Sequence, residues 1–152
     1  MTRGKRAEAF FREGYNCAQS VALAFGDLTG MPEDKLASLA SPFGGGMGRL
    51  REVCGAVSGA FMVLGFVTGY SDPDDRDGKA RLYAKEQEFA ARFKERNGSI
   101  VCRELLAGVK TSAGGAPEGR SAEFYKKRPC PLLVRDAADI LEEMLTEKGD
   151  LK

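Results

Sequence analysis

From Val53 to Val67 the chain carries no charged residue, and apolar side chains fall at every angle of a helical wheel. That is the pattern of a helix buried on all sides. Val53, Val57, Phe61 and Leu64 keep helical spacing, and strict alternation fails, so a strand is rejected. Gly55 and Gly59, then Gly65 and Gly69, are spaced four apart. Glycine inside a helix costs about 1 kcal/mol relative to alanine, so each pair predicts a close approach of another backbone. The stretch as a whole runs from Pro42 to Tyr70 and opens with a glycine loop, Phe43-Gly44-Gly45-Gly46-Met47-Gly48. The run approaches the roughly 18 residues that span a membrane. Ser58, Thr68 and the four glycines, together with amphipathic helices elsewhere that can cover it, favour a central core helix instead.

The rest of the chain reads as helices around that core. Arg3 to Glu13 predicts a first helix with Phe10 and Phe11 inward, ended by Gly14. Asn16 is a good N-cap and Gln19 can reach back to it, so a second helix starts at Cys17 and runs to about Phe25. Asp27 to Met31 reads as a turn. Pro32-Glu33-Asp34 places proline and acids at the start of a short helix to about Ala40. Ser71-Asp72-Pro73-Asp74-Asp75 opens a long helix to about Arg96, with Leu82, Phe89 and Phe93 on its apolar stripe and Glu86 interrupting it. Asn97-Gly98 ends it. Ser99 can cap a short helix through Leu106. Gly108 to Arg128 is a long loop with a helical turn near Phe124-Tyr125; loops of this length are usually functional or mobile. Pro131 suits the first position of a last helix, with Cys130 as its cap, and Leu132, Leu133, Ala137, Ile140, Leu141, Met144 and Leu145 form its apolar face. No strand or repeat is evident. The expected fold is all-α: one helical domain over residues 1–152, a multi-helix bundle around the buried central helix with the glycine loop before it.

Composition narrows the chemistry. A chain of 152 residues with 43% hydrophobic and 30% charged residues has the makings of a real core. A net charge of +1 gives no case for nucleic acid or an acidic membrane as main partner. The basic N-terminus runs into Ala7-Glu8-Ala9 without an unbroken apolar region, so the expected compartment is a reducing cytoplasm. There are four cysteines and no histidine. Histidine triads, mixed Cys/His metal sites and histidine bases are therefore excluded.

Three cysteines, Cys17, Cys102 and Cys130, fall at or next to the first turn of an expected helix, and Cys54 about one turn further in. A helix N-terminus favours thiolate over thiol. Basic residues lie close in sequence: Arg49 and Arg51, Arg103, and Lys126-Lys127-Arg128. If these helix ends converge, they form an electropositive pocket of thiolates suited to an iron–sulfur cluster, a zinc ion or a reactive dithiol. No C-x-x-C pair is present, so neither a zinc ribbon nor a ferredoxin pattern applies, and any site must be assembled by tertiary folding. The competing reading is four scattered core cysteines, each packing as a small hydrophobe. The glycine loop with Arg49 and Arg51 could bind an anion, or it could simply be a tight turn that brings backbone close to the cysteines. It is neither a P-loop nor a dinucleotide fingerprint.

Asn16-Cys17-Ala18-Gln19, the glycine loop leading to Val53-Cys54-Gly55-Ala56-Val57-Ser58-Gly59, Ser99-Ile100-Val101-Cys102-Arg103-Glu104-Leu105, and Cys130-Pro131 together resemble the redox-active proteins of the C-GCAxxG-C-C family. The resemblance covers nearly the whole chain. One departure is that Val53, not glycine, precedes Cys54, and Gly55-Ala56 follow it. The resemblance implies that Cys17, Cys54, Cys102 and Cys130 act together as cofactor and metal ligands. The chain also looks like the iron–sulfur domain of split-Soret cytochromes; with no C-x-x-C-H and no histidine, the haem part of that likeness does not transfer. The expectation is a metal centre, iron–sulfur first and zinc as the alternative, for electron transfer or redox sensing. Metal-free thiol/disulfide exchange, with Cys54 as one candidate nucleophile and another cysteine resolving the intermediate, and a non-catalytic helical scaffold remain the other readings. The expected partners are a redox protein or a second copy of the chain, with no nucleic acid and no membrane insertion.

Overall fold

A computed structural model describes residues 1–109, 111–117 and 119–151, with the side chains of Glu123, Lys126 and Lys127 outside the described part. Lys110 and Glu118 of the expected long loop also lie outside it. Among the described residues the backbone forms helices and no strand. α1 (Arg3–Glu13) starts where Thr2 accepts from the Lys5 N–H, and stops at Gly14, whose φ of 115° a side chain would resist. α2 (Cys17–Ala24) opens on the expected capping box: the Asn16 side chain accepts from Gln19 N–H at 2.9 Å, and Gln19 accepts from Asn16 N–H at 3.0 Å. The expected turn after it closes as one helical turn, α3 (Gly26–Thr29), before Gly30. α4 (Glu33–Ala40) has Pro32 as its N-cap rather than its first residue.

A 3₁₀ turn, Ser41–Phe43, leads into α5 (Gly44–Met47), a single closed turn in which Gly45 and Gly46 take left-handed φ values of 69° and 70°. α6 (Gly55–Thr68) is the apolar helix, and α7 (Arg76–Asn97) is the long charged one. α7 begins later than its sequence suggests, because the Asp75 carboxylate is the cap, accepting from Gly78 N–H at 2.8 Å, and Pro73 stays outside. α8 (Cys102–Leu105) and α9 (Ala122–Lys127) are short. α10 (Cys130–Glu147) runs between Pro129 as N-cap and Lys148.

α6 departs from the expectation in one respect. Gly55 through Ala60, with Val63 and Leu64, are buried, but Phe66 reaches solvent. The helix is enclosed on all sides only over its first turns. α2 is covered on both faces despite its short length. Val21 and Ala24 join the main cluster with Phe11, Phe89, Phe93 and the inner face of α10. Ala18, Ala22 and Leu23 join a second cluster with Leu36 and Ala40. Each large side chain fully buried in these clusters contributes about 1.5–3 kcal/mol. The inner face of α10 is the expected one, with Leu133, Ala137, Ile140, Leu141, Met144 and Leu145 buried, except that Leu132 points out.

Small residues set how closely α2 and α6 approach. A Cβ on Gly59 would stand 2.6 Å from the Ala18 carbonyl oxygen, and one on Gly55 3.1 Å from Cys17 Cβ. The second glycine pair behaves differently: a Cβ on Gly65 would meet nothing, and Gly69 is the C-cap, close only to its own helix. One ion pair is built into the core edge. Arg3, 9% exposed, donates to both Asp27 oxygens and to the Ala24 carbonyl, with its guanidinium 5.0 Å from the Phe25 ring centroid. It ties α1 to the end of α2. No described helix is long and apolar enough to cross a membrane.

Candidate functional site

All four cysteines stand at helix N-termini. Cys17, Cys102 and Cys130 are the first residues of α2, α8 and α10. Cys54 is the N-cap of α6, not a residue one turn inside it, and Cys130 lies one residue further in than the cap position expected from Pro131. The reason for the first shift is tertiary. Residues Arg51 to Cys54 run beside Ile100 to Arg103, joined by an antiparallel bridge between Val53 and Val101. Cys54 N–H donates to the Ile100 carbonyl at 2.7 Å, and Cys102 N–H to the Glu52 carbonyl at 2.6 Å. This pairing holds the chain extended up to Cys54, delays the helix to Gly55, and sets Cys54 and Cys102 next to each other.

The glycine loop closes over them. A Cβ on Gly46 would stand 2.6 Å from Cys102 Cβ and 2.8 Å from Arg51 Cα, so only glycine lets the loop pass there. Met47, Arg49 and Arg51 take positive φ values of 68°, 65° and 60° in this region. Non-glycine residues in that conformation cost about 1–2 kcal/mol each. Strained backbone concentrated beside four thiols is the kind of cost found at functional sites.

Cys17, Cys54, Cys102 and Cys130 line one small cavity of about 30 Å³, walled by Leu106 and Leu133 and by the backbone of Gly46. Cys54 and Cys102 are buried; Cys17 and Cys130 are half-buried. The volume is that of one or two water molecules. Among the described residues, no group of three or more Cys, Asp or Glu side chains is arranged to hold a metal ion.

The sulfurs are electrostatically unlike. Cys130 is pulled down to about 7, first by the hydrogen bond it accepts from Cys17, then by the charges of Arg128 and Arg51, against its burial. Cys17 is pushed well up, because it holds the shared proton and is buried beside the other sulfurs. Burial pushes Cys54 up to about 12, with the Ala56 and Val57 N–H groups opposing. Burial also raises Cys102, opposed by the hydrogen bond from Arg51, whose Nη1 donates to Cys102 Sγ at 3.7 Å. Near neutral pH Cys130 is the sulfur poised to ionise, while the other three are held toward the thiol form.

Of the basic residues singled out in sequence, Arg51 and Arg128 act on the sulfurs. Thr111 Oγ1 accepts from both guanidiniums, at 2.9 and 3.1 Å, and fixes them together. Arg103 turns away to Glu52 and to the Arg51 carbonyl, and Arg49 to Ser112 and Gly114. The side chains of Lys126 and Lys127 lie outside the described residues. Thr111 and Arg120 had no local signal in the sequence; both sit in the irregular stretch, where only the aromatic pair Phe124-Tyr125 stood out.

Four soft donors with no nitrogen among them suit zinc or iron–sulfur chemistry, and the two arginines and four helix N-termini offset thiolate charge. The donor set therefore fits such a metal in kind, although among the described residues the sulfurs as they stand are not arranged to hold one. No curated protein and no solved structure matches this chain. Residues 15–144, which include all four cysteines, match the family described as "Putative redox-active protein (C_GCAxxG_C_C)". With that match over most of its length, the chain belongs to the C_GCAxxG_C_C family of redox-active proteins.

Proposed function

We propose that Cys17, Cys54, Cys102 and Cys130 form one thiolate centre that binds a metal and serves electron transfer or redox sensing. The single observation that supports this reading is the convergence of cysteines from four distant segments on one cavity. The metal proposed is an iron–sulfur cluster, with zinc as the alternative. The family's redox description favours iron, because zinc has no redox chemistry of its own. The small cavity weighs the other way: both metals need the sulfurs to rearrange, and a cluster needs them to spread further than a single zinc ion does. When bound, the cluster supplies a site for a single electron. The chain's own residues do the rest. Arg51 and Arg128 offset the charge of the sulfurs, the leucine wall excludes water, and Cys17 and Cys130 are only half-buried. Protein purified without oxygen should contain iron and sulfide and absorb visible light, or contain zinc. A colourless protein with neither metal eliminates the metal reading.

A second reading has its own support. Cys17 and Cys130 perturb each other in opposite directions, Cys130 down and Cys17 up, and both are half-buried while the other two thiols are buried. Such a pair suits metal-free thiol/disulfide exchange, with Cys130 attacking and Cys17 resolving, rather than the Cys54 nucleophile expected from sequence, which is buried and pushed up to about 12. Mild oxidation should then remove two thiols reversibly, both at these positions. Four thiols unchanged by oxidation defeat it.

A further inference from the structure

α7 meets the rest of the fold on two of its sides. Phe89 and Phe93 are fully buried in the main cluster. Lys85, Arg92 and Arg96 are tied to Asp150, Glu147 and Glu143 at 3.6, 2.7 and 3.0 Å. The third side carries Tyr83, Glu86, Gln87, Ala90 and Lys94, which follow one another at helical spacing. With Phe61 of α6, the first four of these line an open cleft of about 230 Å³. Tyr83 is 45% exposed there, and α6 contributes no charge, because none occurs from Val53 to Val67.

Unlike the charges that face α10, Glu86 and Lys94 have no ion-pair or hydrogen-bond partner among the described residues. Glu86 is half-buried beside Phe61 and Tyr83, and that burial pushes its carboxyl up. A carboxylate drawn partly out of water without a partner carries a cost that a nearby cation would offset. Glu86 and Lys94 stand four residues either side of Ala90, about 6 Å along the axis in each direction. A two-fold axis through Ala90 therefore sets Glu86 of each copy against Lys94 of the other, and Tyr83 against Asn97. Ala90 has the smallest side chain in the cleft, so helices crossing there can approach closely. An axis beside Tyr83 would pair Glu86 with Lys79 instead. That register puts a bulky ring at the point of closest approach, and Lys79 is already engaged, 5.8 Å from the Tyr83 ring centroid.

We propose that α7 packs antiparallel on α7 of a second copy of the chain about Ala90, making the Glu86–Lys94 pair twice and covering Phe61 and Tyr83. The face is self-complementary in charge, which is what a two-fold contact between identical surfaces requires. It lies away from the thiols along α6: Cys54 caps the start of that helix, and Phe61 stands two turns further on. The pairing is independent of whether the thiols carry a metal.

The test is analytical ultracentrifugation of the reduced, full-length chain over a wide range of concentration. The unaltered chain should form a dimer that dissociates on dilution. Glu86→Lys sets two positive charges together at each pair and Lys94→Glu two negative ones, and each should weaken the dimer at least ten-fold. The double variant restores opposite charges in reversed order and should recover most of that loss. If a charge reversal disturbs the helix, as circular dichroism would show, Ala90→Arg places two guanidiniums across the axis and should abolish the dimer. A chain that is monomeric at every concentration overturns the proposal. So does a dimer that none of these substitutions weakens, or a double variant no tighter than the single ones. No readout uses the metal or the thiols, so failure here is distinct from failure of the thiol centre.

Discussion

Two glycines of one helix should respond to the same substitution with opposite signs. Gly65 is exposed on α6, and a Cβ there meets nothing within 4 Å. Alanine at that position gains only helix propensity, about 1 kcal/mol. Gly59 has the same propensity to gain, but its Cβ would stand 2.6 Å from the Ala18 carbonyl oxygen and 3.1 Å from Val21 Cβ. One of those neighbours is backbone, so relief requires α2 to move as a body. Overpacking of this kind costs about 1–3 kcal/mol, and a backbone collision belongs at the upper end. The net effect of Gly59→Ala is a loss of about 2 kcal/mol, and the two variants should differ by about 3 kcal/mol. For a chain of this size 1 kcal/mol moves the melting temperature by about 2–4 °C. Gly65→Ala should therefore melt about 3 °C higher and Gly59→Ala about 6 °C lower, read by calorimetry or circular dichroism. If Gly59→Ala melts no lower than the unaltered protein, α2 does not press on α6 as described. Cys17, the residue before Ala18, would then not be carried to Cys54.

Other consequences are equally checkable. Gly46→Ala combines a left-handed φ of 70° with a Cβ 2.6 Å from Cys102 Cβ, and should cost about 3 kcal/mol. Gly48→Ala, whose Cβ comes no nearer than 4.0 Å to the Pro42 carbonyl, should cost only the strain of about 1 kcal/mol in urea unfolding. Arg3→Met removes the pair with Asp27 and the bond to the Ala24 carbonyl, and should lower stability at neutral pH by about 2 kcal/mol. Arg3 holds the Asp27 carboxyl below its ordinary range, so that stability is complete above about pH 4 and is lost as pH falls through the depressed value. The gap between the variant and the unaltered protein should therefore narrow in acid, leaving the part due to the Ala24 bond; a gap that stays constant refutes the assignment. In metal-free, reduced protein, iodoacetamide should alkylate Cys130 with a midpoint near pH 7, because the thiolate is the nucleophile. Arg128→Met should move that midpoint upward, and an unmoved midpoint would show that Arg128 does not act on Cys130.

What could be read from the sequence was what local chemistry decides. Gly14 and the Asn16–Gln19 box mark the junction of α1 and α2 because both signals act within a few residues. The inner face of α10 follows from periodicity alone. The start of α6 was not legible, since the pairing of Val53 with Val101 joins segments far apart and overrides the apolar pattern. The start of α7 was misplaced because several acids compete to cap it, and only the fold selects Asp75. Gly65 and Gly69 share the spacing of Gly55 and Gly59, yet nothing packs there. Spacing announces a groove without saying whether it is filled. For the site, helix-end placement of the cysteines came from local caps, whereas their convergence on one cavity came only from the family resemblance and then from the fold. Thr111 carries no sequence signal, because a threonine that holds two arginines looks like any other in a loop.

The measurement closest to the central claim is a cobalt(II) titration of the reduced chain under anaerobic conditions, repeated on Cys17→Ser, Cys54→Ser, Cys102→Ser and Cys130→Ser. One equivalent of cobalt should bring up a thiolate-to-metal charge-transfer band, and every one of the four substitutions should weaken it. A band left at full strength by any of them would contradict a centre built from all four sulfurs.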